Sequence, residues 1–123
     1  MPEARFFFDP RSGVVLWAAT PEDKAVWGYA IELDRLPISD DLREVLLRLM
    51  HRFDTSLNWR NPNAPGPWRE EECQDFNEAV YQVLGRLRAE LGPDWLIYNE
   101  FLPLQEDPDL LRYLADPKGF FRH

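Results

Sequence analysis

The residues best suited to chemistry in this chain are His51 with Asp54, Cys73, and the triplet Glu70, Glu71 and Glu72. His51 and Asp54 stand three residues apart. On a helix that spacing sets them side by side, where a carboxylate could orient an imidazole as a general base. A solvated His–Asp pair on a polar helix face is the far commoner case. Cys73 falls among apolar residues at helical spacing, the setting of a small buried hydrophobe rather than of an activated nucleophile. The glutamate triplet could hold magnesium against a phosphate substrate. Acids at a helix start are equally what the helix dipole favours. Two histidines, one of them the terminal His123, and one cysteine cannot make a usual zinc set. There is no calcium loop and no Gly-rich phosphate loop. Pro65 and Pro67 around Gly66 remove the N–H donors that a phosphate would need. The reading is no catalytic residue, no metal site and no cofactor.

The elements that must position these residues follow from periodicity. "RFFF", "DPRSG" and "VVLWAA" read as strand, turn and strand, hence a hairpin. "TPEDKAVW" reads as a polar loop. "GYAIELD" alternates, with Tyr29, Ile31 and Leu33 on one side and Ala30, Glu32 and Asp34 on the other, as in a half-buried strand. Ser39 then caps a helix that has Asp40 and Asp41 in its first turn. Its apolar stripe is Leu42, Val45, Leu46, Leu49, Phe53 and Leu57, with Arg43, Glu44, Arg48, His51, Thr55 and Asn58 on or near the opposite side. A second helix spans about Arg69 to Leu91, with the stripe Cys73, Phe76, Val80, Val83, Leu84, Leu87 and Leu91 and a stop at Gly92–Pro93. "DWLIYNEF" is a last strand, and "EDPDLLRYLAD" holds a short helix.

The order is β-β-β-α-α-β plus a short C-terminal helix. It predicts an α+β fold, with a mainly antiparallel sheet of about four strands and two antiparallel helices on one face. The other sheet face is left for the tail or a partner to cover. The length of 123 residues predicts one domain over 1–123.

Between the helices, Trp59 to Trp68 form a long proline-rich loop. One reading tucks both rings onto the helix ends, with Asn58, Asn61 and Asn63 bonding turn amides, because an exposed tryptophan is costly in a free monomer. The other makes the loop a rigid aromatic binding surface. Outward-facing Asp54, Arg60 and the glutamates fit either. Leu47 falls off the apolar stripe near His51 and Asp54, as an apolar anchor inside an acidic rim would. The candidate partner-binding residues are therefore Leu47, His51, Asp54, Asn58, Arg60, Glu70, Glu71 and Glu72.

The formal charge of −8 disfavours nucleic acid and anionic membranes as partners and favours a basic protein. The N-terminus does not read as a signal peptide, no apolar run reaches membrane-span length, and a single cysteine suits a reducing compartment. A cytoplasmic location is expected.

The middle of the chain resembles a group of small acidic bacterial proteins of undefined function, common in actinobacteria. The shared pattern is Leu36-Pro37-x-Ser39 opening a helix, Phe53-Asp54-x-Ser56-Leu57-x-Trp59, a Pro-rich loop, Trp68, an acidic helix start, and Leu87 through Asp94. It covers roughly residues 28–98. Some members of that group look like immunity proteins accompanying secreted toxins. Together with the −8 charge, the small size and the lack of a catalytic set, the resemblance points to a non-enzymatic inhibitor that binds a basic partner such as a bacterial toxin. Two other readings are a small enzyme or ligand-binding domain at the helix–helix loop and a structural homo-oligomer using the free sheet face.

Overall fold

The computed structural model describes residues 1–61 and 63–120, so Pro62 of the loop and His123 lie outside the described residues. The elements run β1 (Glu3–Phe6), β2 (Leu16–Ala18), α1 (Pro21–Trp27), β3 (Ala30–Ile31), a 3-10 turn (Leu33–Arg35), α2 (Asp40–Thr55), α3 (Glu70–Leu91), β4 (Leu96–Asn99) and α4 (Leu110–Ala115). The class is the expected α+β. The sheet order is β3-β2-β1-β4; β1–β2 and β2–β3 are antiparallel, whereas β1–β4 is parallel, with Ala4 opposite Ile97. The sheet is therefore mixed. A hairpin fixes the direction of β2 against β1, but β4 reaches β1 only after the helix pair, so no local turn dictates its sense.

Two local expectations change. "TPEDKAVW" is helix rather than loop. Thr20 accepts from the Asp23 N–H at 3.1 Å, Pro21 opens the first turn, and Gly28 closes the helix at φ 83. None of its residues is buried, so it lacks the apolar stripe that marks a helix in sequence. "GYAIELD" keeps only two strand residues before the 3-10 turn. Ile31 and Leu33 are buried as alternation predicts, but Tyr29 is exposed.

The core lies between one sheet face and the helix pair. Ala4 and Phe6, Leu16 and Ala18, Ile31, and Ile97 point into it from the four strands. From α3 come Cys73, Phe76, Val80, Val83, Leu84, Leu87 and Leu91, the stripe read from the sequence, all buried. From α2 come Leu42, Leu46, Leu49 and Met50; Leu57 lies past the helix end and is exposed. The helices are antiparallel. At one end Glu90 accepts from the Ser39 N–H at 2.7 Å and Arg86 pairs with Asp41 at 2.7 Å; at the other, Trp68 Nε1 donates to Thr55 Oγ1 at 3.2 Å.

The second sheet face shields itself in part. Phe7 stacks on Trp17 at 4.9 Å, Trp17 meets Tyr29 at 5.3 Å, and Arg5 lies over Phe7 while pairing with Glu100. The tail is anchored on α3 and not across that face. Asn77 exchanges hydrogen bonds with the Leu104 backbone, and Glu106 accepts from Arg69 Nε at 2.6 Å and from the Glu70 N–H at 3.2 Å.

Candidate functional site

The β1–β2 turn, the end of α2 and the long loop converge on Asp54. Its carboxylate accepts from the Arg11 N–H at 3.0 Å, and its carbonyl accepts from Trp59 Nε1 at 2.6 Å. Arg11 has φ 58, a left-handed backbone that costs a non-glycine residue about 1–2 kcal/mol. The hydrogen bond to Asp54 helps hold it there. Its guanidinium then sits 3.9 Å from the centre of the Trp59 ring, a cation–π contact of about 0.5–1 kcal/mol at an exposed site.

The loop is built from its own polar side chains. Asn58 Oδ1 accepts from the Arg60 and Asn61 N–H groups, its amide donates to the Tyr113 hydroxyl at 3.3 Å, and Asn61 Oδ1 accepts from the Asn63 N–H. Gly66 passes so close to the Ser56 carbonyl that a Cβ there would collide with backbone. The tryptophans divide between the two readings. Trp68 is buried edge-on against Phe76, as a brace. Trp59 keeps 45% of its surface in solvent.

Leu47, His51 and Asp54 come together. They line one hollow of about 150 Å³ with Phe8, Asp9, Arg11 and Met50, and Leu47 is 44% exposed. Asn58 is committed to the loop, and Arg60 is exposed. Of the triplet, Glu72 accepts from the Arg69 N–H at 3.2 Å and Glu70 from the Glu106 N–H at 3.0 Å. These bonds tie the start of α3 to its cap and to the tail. Glu71 is exposed. Sequence reasoning missed Arg11, taken only as a turn residue. Nothing local links residue 11 to residue 59; only the folded turn brings them together.

The arrangement offers little for bond-making. The Cys73 thiol is buried, and burial pushes its pKa up, which disfavours the thiolate. The Glu106 carboxyl is held below the usual range by Arg69 and the Glu70 N–H, as an ion-paired structural group. Among the described residues no three His, Cys, Asp or Glu side chains gather as a metal site, and no helix is long and apolar enough to cross a membrane. What the site does present is an exposed Leu–His–Trp–Arg surface on a hydrogen-bonded support, a composition typical of protein contacts.

A family model described as Serratia CdiI immunity protein-like matches residues 12–100. The chain belongs to that family. The match takes in α2, the loop, α3 and β4, and so includes Leu47, His51, Asp54 and Trp59. The family is thus immunity-protein-like, in line with the resemblance read from the Leu36–Asp94 pattern. No curated protein matches the chain.

Proposed function

We propose that this protein is the inhibitor of a toxin–immunity pair: it acts without catalysis, by occluding a basic bacterial toxin. Membership of the immunity-protein-like family carries the reading. Two further observations support it. The charge of −8 favours a cationic partner. The hollow at Leu47, His51 and Asp54, flanked by the Arg11–Trp59 stack, offers an apolar anchor and aromatic area on a braced surface. Leu47, His51, Asp54 and Trp59 form the centre of the contact. Arg60 and Glu71 extend it, while Asn58, Glu70 and Glu72 hold the loop and the start of α3 in shape. Such an inhibitor works in the cytoplasm, where an incoming toxin meets its target.

The direct test is co-expression with a candidate toxin, sought among toxin-like open reading frames next to the gene for this chain. Wild-type protein should restore growth and bind the purified toxin. A Leu47→Arg, Trp59→Ala double variant that folds normally should bind at least about tenfold more weakly. Full protection by the double variant would remove the proposed surface; absence of binding by wild type would remove the function.

A further inference from the structure

The hollow at Leu47 does not end there. A second hollow, about 490 Å³, adjoins it and shares Leu47 and Gly13 as lining. Gly13 stands at the junction with nothing within 4 Å of where a Cβ would lie, so there is open space on its side of the boundary that it shares with Leu47. One wall of the second hollow includes Ala30 of β3, the end strand of the sheet. The two hollows together form a groove that follows α2 from Arg43 to Asp54. Those eleven steps of helix measure about 16 Å at ~1.5 Å each.

Charge along this groove is net acidic, with four carboxylates against two guanidiniums. Its rim carries Asp9 and Asp54 at one end and Glu32 and Asp34 at the other. The two guanidiniums in the lining already have partners within the chain. Arg43 donates to the Leu33 and Leu36 carbonyls and pairs with Asp40, and Arg11 lies on Trp59. The carboxylates of Asp9, Glu32 and Asp34 make no ion pair among the described residues. The middle of the floor is apolar and includes the half-exposed Leu47.

From this geometry we infer that the groove receives an extended basic segment of the toxin. It is about five residues long at ~3.3 Å per residue. A central apolar side chain covers Leu47, and lysine or arginine at either end meets Asp9 with Asp54 and Glu32 with Asp34. Leu47 supplies the desolvated anchor, and the flanking carboxylates set the register. A second copy of this chain is the poorer occupant, because a chain of charge −8 would bring acid to acid.

This inference rests on the toxin-binding reading, and dissociation kinetics separate the two. The candidate toxin, purified, is bound to wild type, to Leu47→Arg, to Glu32→Lys with Asp34→Lys, and to a charge-matched control, Asp75→Lys with Asp94→Lys. Unfolding midpoints confirm that each variant is folded. Both groove variants should raise the dissociation rate about tenfold or more, and the control should leave it unchanged. Tight toxin binding with unaltered dissociation from both groove variants overturns the inference and leaves the function standing. An equal rise in the control overturns it too, because net charge rather than the groove would then be at work. If wild type does not bind the toxin, the function fails and the inference falls with it.

Discussion

Two tryptophans of one loop have opposite surroundings, and the acceptors of their indole N–H groups show how. Trp68 donates inward to Thr55 Oγ1 and packs edge-on against Phe76 in the core. Trp59 donates to the Asp54 carbonyl near the end of α2, which leaves a ring face for Arg11 and 45% of its surface in solvent. Trp68→Ala should therefore lose about 3–5 kcal/mol of stability, the usual cost of emptying an aromatic core site. Trp59→Ala should lose about 1 kcal/mol or less. Urea unfolding of the two variants tests this, and equal losses would show that Trp59 is also a structural brace. The sequence could not separate them: both rings flank the same proline-rich run, and their environments depend on how the loop folds back, onto Arg11 for Trp59 and onto Thr55 and Phe76 for Trp68. Cys73 was legible, because its place in the α3 stripe already put it in the core.

At the level of elements, legibility followed burial. The α3 stripe could be read residue by residue because a long helix buried along one side must repeat at 3.6 residues. Helix α1 escaped because none of its residues is fully buried and Trp27 alone packs against the core; its Thr-Pro-Glu-Asp start and the Gly28 stop were the signals. The parallel seat of β4 was beyond reach, since strand sense is set by the packing of the helix pair and not by any turn. Capping was readable at Ser39, but its partner was not. Ser39 Oγ accepts from the Leu42 N–H at 3.1 Å, while the Glu90 carboxylate from the end of α3 accepts from the Ser39 N–H and hydroxyl. Ser39→Ala should cost about 1 kcal/mol. The Glu90 carboxyl is held below its ordinary pKa by the Ser39 N–H first, then by the Ser39 hydroxyl and Arg86. A pKa lowered by folding means that this latch stabilises the protein above the unfolded value of about 4.3 and is lost as pH falls through the folded one. Glu90→Gln should therefore be less stable than wild type at neutral pH, and the gap should narrow below about pH 5. Denaturant midpoints across that range would show it; a gap constant with pH would mean that the carboxylate charge is not what secures the helix ends.

For the molecule as a whole, the deciding quantity is charge seen from a distance. At physiological salt the field of −8 is screened over about 8 Å, so it acts on the approach of a partner more than on the finished contact. Acids outside the groove and acids within it should consequently separate in kinetics. Asp75→Lys with Asp94→Lys should slow association with a basic toxin and leave dissociation alone. Glu32→Lys with Asp34→Lys should affect both, because those carboxylates steer and also remain in contact. For wild type, raising the salt from about 20 mM to about 500 mM should cut the association rate by about tenfold or more, with a smaller effect on dissociation. Stopped-flow mixing at several ionic strengths measures both rates directly. Association that ignores salt while binding stays tight would mean that shape and apolar contact at Leu47 and Trp59, rather than the acidic field, choose the partner.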